Sequence, residues 1–146
     1  MENNQNHKQL VISNNIAELN RVVAFLDELE ESWMLPMTFM TPLNLVMEEA
    51  LTNVIFYAYE EGSNNEILVD FYLADNQLAI KITDSGKPFD PTAKADPDIS
   101  LSVEDRPIGG LGIFLIRKIM DKVSYERVGQ QNVLCMTKML ANSNAS

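Results

Sequence analysis

The sequence contains one cysteine and one histidine, and this shortage excludes several kinds of site. Cys135 has no partner for an internal disulfide, and its strand-like context, VLCMTKML, favours a small buried side chain over a nucleophile. His7 lies in a polar leader, MENNQNHK. A Ser-His-Asp or Cys-His catalytic site of the usual kind and a Cys/His zinc site are therefore both excluded.

Basic residues and long apolar runs are also scarce. Lys and Arg total 11 against 21 Asp and Glu, which gives a formal net charge of -10. Nucleic-acid binding needs clustered basic side chains, so we expect no direct nucleic-acid partner, whereas a basic protein partner is compatible with this charge. No apolar run approaches the roughly 20 residues of a membrane span, and the N-terminus lacks the regions of a signal peptide. We expect one cytoplasmic domain that does not bind membranes.

The spacing of apolar residues predicts an α+β domain. Strands are predicted over 8–13, 66–73, 77–83, 123–128 and 132–140, and helices over 14–31, 45–60 and 113–122. Residues 33–42 contain two prolines and are predicted to link the first two helices, with Thr41 as N-cap and Pro42 at the first helical position. The order predicts a two-layer sandwich, with a mixed, mostly antiparallel sheet and helices on one face.

The central helix, LVMEEALTNVIFYAYE, carries Glu49 and Asn53 four residues apart. Positions i and i+4 of a helix lie one above the other, so a carboxylate and an amide oxygen share a patch beside the apolar stripe. A metal ion or a polar ligand would satisfy such a pair. Taken alone, the helix favours a simpler interpretation, in which both side chains bond to the backbone of a loop.

Two further segments are rich in turn-forming residues. The second strand of a hairpin ends in Asp84-Ser85-Gly86, and Gly109-Gly110-Leu111-Gly112 precedes the third helix. Residues 87–107, between them, contain four prolines and no convincing helix or strand. Such a connection is usually a lid, a binding loop or disorder. Taken singly, Asp-Ser-Gly is a common turn sequence and the glycine run fits a hinge.

In this order, three segments resemble the ATP-binding boxes of the GHKL superfamily, which has the Bergerat fold. They are EEALTNVIFYAYE (48–60), DSGKPFDP (84–91) and GGLGIFLIRKIMDKVSY (109–125). The chain is more similar still to the anti-sigma factor serine/threonine kinases, from about residue 8 to residue 140. The resemblance implies a single histidine-kinase-like ATPase domain over 1–146, ordered over about 8–140, with an ATP lid over about 87–107.

The resemblance also implies roles for residues around the nucleotide. Asn53 would coordinate Mg²⁺ through its side-chain oxygen, and Glu49 would act as the general base toward a substrate hydroxyl. Asp84 would accept a hydrogen bond from the adenine amino group, and Gly86 would let the backbone approach the base. One position departs from the family pattern, because Tyr57 precedes Ala-Tyr where many members have His. Any role of that histidine is therefore in doubt here.

The phosphates would be bound by the glycine run and by two basic side chains. Gly110 and Gly112 would expose backbone amides at a helix N-terminus, with Gly109 and Leu111 in the same loop. Lys87 and Arg106 are candidates for phosphate contacts because of their charge and position.

The resemblance implies an ATP-dependent anti-sigma factor that uses ATP and Mg²⁺. It would bind a sigma factor, phosphorylate a Ser or Thr of a STAS-type anti-anti-sigma protein, and form a homodimer. The alternative is an ATP-binding regulatory module that sequesters a protein partner without phosphoryl transfer. Glu49→Ala separates the two, because it should abolish transfer in the first and leave partner control intact in the second. A remnant that has lost nucleotide binding is disfavoured by the intact glycine loop.

Overall fold

The computed structural model describes residues 6–60, 62–93 and 110–140, which form a two-layer α+β structure. Five strands form one sheet in the order β1-β2-β3-β5-β4. The strands are β1 (His7–Ser13), β2 (Glu66–Ala74), β3 (Gln77–Asp84), β4 (Lys122–Val128) and β5 (Gln131–Met139). The main helices are α1 (Leu19–Ser32), α2 (Met37–Asn53) and α3 (Gly110–Ile119). The predicted α+β fold class is confirmed. All four strand pairings are antiparallel, so this sheet has no parallel pair within the described residues, whereas a mixed sheet was predicted.

The core lies between one face of the sheet and the helices. Strand side chains alternate, so that Leu78, Ile80 and Ile82 are at most 1% exposed while Ala79 and Lys81 between them are only half-buried. The hairpin between β2 and β3 turns at two residues, Asp75 and Asn76, which both have positive φ. This is the pattern of a two-residue type I′ turn, and it fixes the register that brings Asp84 opposite Ile67.

Helix α2 begins earlier than predicted. Its N-cap is Pro36, and Thr41 and Pro42 lie inside the helix, so the predicted start at Thr41 and Pro42 is wrong. Pro36 and Pro42 both fit the start of a helix. The helix starts with Pro36 as its N-cap because the buried side chains of Phe39 and Met40 extend its apolar face toward the core. The helix therefore contains an internal proline, which donates no backbone hydrogen bond.

The C-terminal end of α2 also differs from a uniform helix. The α-helical pattern ends at Asn53, and Val54–Ala58 form a π-helix. Short π-helical segments are frequent at functional sites because they re-aim side chains. The predicted helix over 45–60 is thus two kinds of helix that join directly after Asn53.

Helix α3 contains the end of the glycine run, where a loop was predicted. It starts at Gly110 and ends at Ile119, three residues before the predicted end, because β4 begins at Lys122. Ile113 and Ile116 are buried against the core, which confirms the predicted apolar face at these positions. None of the helices within the described ranges has the length and apolar character needed to cross a membrane.

Candidate functional site

A pocket lies between the C-terminal part of α2, α3 and the strands β3, β4 and β5. Both apolar and polar side chains line it. They are Ala50, Asn53, Val54, Asp84, Phe89, Pro91, Ile116, Tyr125, Asn132 and Leu134. The pocket therefore brings together two of the predicted site residues, Asn53 and Asp84, which are 31 positions apart in the sequence. Its apolar walls and few polar groups are typical of a small-molecule site.

Asp84 is the last residue of β3 and is 3% exposed. Its Oδ1 atom accepts hydrogen bonds from the backbone N–H of Gly86 and from Nδ2 of Asn132, both at 2.9 Å. Burial raises the pKa of Asp84, while these hydrogen bonds and the charge of Arg127 act in the opposite direction. Within the described residues Oδ2 has no hydrogen-bond partner, so one oxygen of a buried carboxyl group remains available to a ligand.

Asn53 is 7% exposed on the other side of the pocket. Among the described parts of the chain, its side-chain amide makes no hydrogen bond. The simpler interpretation, that Asn53 bonds to a loop, is therefore not what these residues show. A buried amide without a partner costs about 1–3 kcal/mol, which a ligand in the pocket would recover.

Glu49 lies one helical turn before Asn53 and is half-buried. It is not among the residues that line the pocket, although its neighbour Ala50 is. A carboxylate at this position can reach a group at the edge of the pocket from the helix face that also carries Asn53. The structure therefore places Glu49 beside the pocket and Asn53 in its wall.

Gly86 is required by close packing of the backbone. A Cβ atom at this position would overlap the carbonyl oxygen of Ala58 and would lie 2.8 Å from Cβ of Ala58. The next residue, Lys87, donates its backbone N–H to the same carbonyl oxygen at 2.9 Å. The turn after β3 is thus pressed against the π-helix, and only glycine fits there.

The remaining predicted site residues are farther from the pocket or fall outside the described ranges. The side chain of Lys87 is exposed, and Lys87 lines a separate groove with Ser85 and Gly86. Gly110, Leu111 and Gly112 form the first turn of α3, whose residue Ile116 lines the pocket. Arg106 and Gly109, with most of the predicted lid, lie outside the described residues.

Tyr57, the position that departs from the family pattern, joins the π-helix to the segment after β3. Its ring stacks on Phe89, with centroids 5.3 Å apart and planes at 22°. Phe89 in turn lines the pocket. Tyr57 therefore supports the pocket wall from behind through an aromatic contact.

Asn132, Tyr125 and Arg127 were not predicted as site residues. Asn132 is 4% exposed and sits between the side chains of Tyr125, Arg127 and Asp84, with a hydrogen bond to each. The signal in the sequence was the alternation of β5, which places Asn132 on the same face as the buried Leu134 and Met136. A polar residue at an inward position needs partners and often marks a site.

The side chains of this pocket could bind Mg²⁺ only together with the phosphates of a nucleotide. Within residues 6–60, 62–93 and 110–140, no group of three His, Cys, Asp or Glu side chains could hold a metal ion. Mg²⁺ is commonly held by one or two protein oxygens together with substrate phosphates and water. The amide oxygen of Asn53, which has no hydrogen-bond partner within the described ranges, is a metal ligand of the required type.

The sequence pattern of the histidine kinase-like ATPase domain family matches residues 12–138. The chain belongs to this family. The predicted family is therefore confirmed. The matched region covers the pocket, β2, β3, β4, the last two residues of β1 and all of β5 except Met139.

Three curated proteins with similar sequences are named as protein kinases. The serine-protein kinase RsbW of Halalkalibacterium halodurans is 37% identical over 102 residues, which are 67% of this chain and 61% of that protein. The serine/threonine-protein kinase BtrW of Bordetella bronchiseptica is 30% identical over 109 residues, 75% of each chain. The serine-protein kinase RsbW of Listeria monocytogenes is 32% identical over 85 residues, 56% of this chain and 54% of that protein. The matched stretch thus spans between half and three-quarters of these relatives.

A solved structure has the same fold. The crystal structure of the RsbU and RsbW domains of a Mycobacterium tuberculosis protein aligns with a TM-score of 0.65 and 12% sequence identity. The alignment covers 92% of this chain and 32% of that chain. At this level of identity the similarity concerns the fold alone, and it supports the α+β architecture described above.

Proposed function

We propose that this chain is an ATP-dependent serine/threonine protein kinase and that the pocket between α2, α3 and the sheet binds the nucleotide. The observation that carries the proposal is a pair of buried polar groups that have no hydrogen-bond partner among the described residues: the amide of Asn53 and Oδ2 of Asp84, in the wall of one pocket. A ligand with a hydrogen-bond donor at one end and charged oxygens at the other would satisfy both. Membership of an ATPase family supports ATP as that ligand.

The adenine base would lie at the Asp84 end. Its amino group would donate to Oδ2, a contact that the carbonyl group of guanine cannot make. The apolar side chains of Val54, Ile116 and Leu134 would pack on the faces and edges of the ring. The turn after β3 packs at Gly86 against Ala58 of the π-helix.

The phosphates would extend toward Asn53 and the first turn of α3. Mg²⁺, held by the Asn53 oxygen and the phosphates, would neutralise part of the charge that develops during transfer. The backbone N–H groups at the N-terminus of α3 would donate to phosphate oxygens, where the helix dipole also favours negative charge. Lys87 and Arg106 remain proposed phosphate contacts.

Glu49 would take the proton from a Ser or Thr hydroxyl of the protein substrate. The oxygen of this hydroxyl would attack the γ-phosphorus, the bond from phosphorus to the β–γ bridging oxygen would break, and ADP would leave. Glu49 lies beside the pocket, which suits a group that meets a substrate arriving from outside. General-base catalysis of this kind contributes about 10²–10⁴-fold to the rate.

The proposed partners are a STAS-type anti-anti-sigma protein, as the phosphoryl acceptor, and a sigma factor, as the protein held inactive. A homodimer is the proposed assembly, and the cytoplasm the proposed location. The net charge of -10 supports basic surfaces on at least one partner. Phosphorylation of the acceptor would add about two negative charges and repel it from this acidic chain.

Nucleotide binding is the first test. Calorimetric titration with ATP and Mg²⁺ should show one saturable site, which Asn53→Ala and Asp84→Ala each weaken by tenfold or more, as loss of a charge-assisted contact of about 1.5–3 kcal/mol requires. A folded wild-type protein that binds no ATP would overturn the proposal.

Phosphoryl transfer is the second test. With ATP, Mg²⁺ and its cognate STAS protein, radiolabelled phosphate should move to the acceptor. Glu49→Gln should slow transfer by about 10²-fold or more and leave ATP affinity within threefold of wild type. ATP binding without any transfer by the wild type would favour the regulatory module that sequesters its partner.

A further inference from the structure

We propose that Tyr125, Arg127 and Asn132 form a clamp that sets the selectivity of the pocket for a 6-amino purine, with Asn132 as the positioning residue. This inference rests on the proposed nucleotide site. The clamp lies on the β4–β5 hairpin, where Asn132 pairs with Asp84 across neighbouring strands. Its residues are separate in function from the groups expected to touch the nucleotide phosphates.

The side-chain amide of Asn132 uses both its donor and its acceptor. Nδ2 donates to Oδ1 of Asp84 at 2.9 Å and to the backbone carbonyl oxygen of Lys87 at 2.8 Å. Oδ1 accepts from Arg127 at 3.1 Å, from the backbone N–H of Phe89 at 3.3 Å and from the hydroxyl of Tyr125. Because Oδ1 has three donors around it, the amide cannot rotate by 180° without losing all three hydrogen bonds.

Arg127 and Asn132 also hold the backbone that follows Asp84. Arg127 donates to the carbonyl oxygen of Gly86 at 2.8 Å. Asn132 donates to the carbonyl oxygen of Lys87 and accepts from the backbone N–H of Phe89. Three of the four residues from Gly86 to Phe89 are therefore attached to one hairpin. The same hairpin holds the Asp84 carboxylate, so the orientation of the carboxylate and the path of the backbone are fixed together.

The consequence for selectivity follows from which oxygen of Asp84 is occupied. Asn132 and the Gly86 N–H both bond Oδ1, which leaves Oδ2 as the acceptor that the carboxylate offers to the pocket. A carboxylate held in this way favours a ligand that places an amino group at Oδ2. Without the clamp the carboxylate can turn and meet the ligand with either oxygen or with neither.

The test compares two nucleotides that differ by one amino group. ATP and purine riboside 5′-triphosphate are titrated calorimetrically against the wild type, Asn132→Asp, Tyr125→Phe and the control Gln131→Glu. Asn132→Asp keeps the acceptor for Tyr125, Arg127 and Phe89, but replaces the donor to Asp84 with a second carboxylate. Gln131→Glu makes the same amide-to-acid change at the adjacent exposed position of β5.

We expect the wild type and Gln131→Glu to prefer ATP by about tenfold or more, because a buried acceptor left without its donor is costly. In Asn132→Asp the ratio of the two affinities should fall to within about threefold of one, while the affinity for purine riboside triphosphate changes by less than about threefold. In Tyr125→Phe, which removes a single hydroxyl, the ratio should fall by about two- to fivefold. A merely structural role would weaken both nucleotides equally and leave the ratio unchanged.

An unchanged ratio in Asn132→Asp would overturn the clamp and leave the proposed function standing. If Asn132→Asp does not fold, an unchanged ratio in Tyr125→Phe has the same meaning. A wild type that binds neither nucleotide would overturn both proposals.

Discussion

The two ends of the pocket are built differently. At one end Asp84 is fixed by Gly86 and Asn132. At the other end Asn53 is also buried, but it has no hydrogen-bond partner within the described residues. At the Asp84 end, Oδ2 is the one carboxylate oxygen that has no hydrogen-bond partner among the described residues. The Asn53 end leaves an entire amide to be satisfied from the pocket.

This difference fits the chemistry proposed for each end. Recognition of a base depends on the direction of one hydrogen bond, so the acceptor is held in place before the ligand arrives. A metal ion that enters with the phosphates already has phosphate and water ligands. It needs from the protein only an oxygen that is not occupied by another hydrogen bond. The unsatisfied amide of Asn53 therefore lowers the stability of the free protein, but it is the group that ligand binding requires.

The largest expected effect comes from the same substitution at the two buried asparagines. Asn132→Leu removes all the hydrogen bonds of its amide and leaves buried partners unsatisfied, so the free energy of unfolding should fall by about 3 kcal/mol or more. Asn53→Leu removes an amide that has no partner among the described residues, and the free energy of unfolding should stay unchanged or rise by about 1 kcal/mol. Urea denaturation without nucleotide measures both. Equal destabilisation by the two substitutions would show that the two ends do not differ.

A somewhat smaller effect is expected from Gly86→Ala. The added Cβ atom would overlap the carbonyl oxygen of Ala58, and the backbone shift that relieves this contact should lower the free energy of unfolding by about 2 kcal/mol. The control is Gly129→Ala, at a position with φ of +60° and no atom within 4 Å of the new Cβ. It should cost only about 1 kcal/mol through backbone strain. ATP affinity should decrease in Gly86→Ala and remain at the wild-type value in Gly129→Ala, which has no contact with the pocket.

The dependence of stability on pH tests the Asp84 end alone. Burial raises the pKa of this carboxyl group above its ordinary value of 3.8, so the folded state takes up its proton at a higher pH than the unfolded state does. Between these two pKa values the folded state binds more protons, and the contribution of Asp84 to stability falls as the pH rises. Asp84→Asn keeps the shape of the side chain and removes the titration.

The measurement is urea denaturation of the wild type and Asp84→Asn at a series of pH values from 3 to 7. The difference between the two free energies of unfolding should change in favour of the variant as the pH rises through this window. Groups that titrate in both proteins cancel in the difference. A constant difference across the series would mean that Asp84 has the same pKa in both states.

The sequence was sufficient for much of the fold because local and tertiary preferences agree there. The alternation of Leu78, Ile80 and Ile82 predicted a sheet face, and the strands, their order along the chain and the fold class are confirmed. The start of α2 could not be obtained in the same way. Pro36 and Pro42 both fit a first turn, and only the burial of Phe39 and Met40 decides between them.

The candidate site was predictable in part for a similar reason. Asp84 and Asn53 belong to motifs that the family resemblance identifies, and the structure brings them to one pocket. Asn132 lies in no such motif, and its importance depends on contacts with residues 45 and 48 positions away in the chain. The π-helix after Asn53 ends at Ala58, which packs against the turn at Gly86, and no local sequence pattern encodes this tertiary contact.

The smallest expected effect concerns Tyr57, which supports the Asp84 end from behind. Tyr57→Leu keeps an apolar side chain and removes the stacking on Phe89, so the free energy of unfolding should fall by about 1 kcal/mol. The matched control is Phe56→Leu, at the neighbouring position that is 59% exposed, where a change of less than about 0.5 kcal/mol is expected. Because Phe89 lines the pocket, ATP affinity should fall modestly in Tyr57→Leu and stay constant in Phe56→Leu. Equal effects of the two substitutions would mean that the stacked pair does not support the pocket, and that the Asp84 end is held by its hydrogen bonds alone.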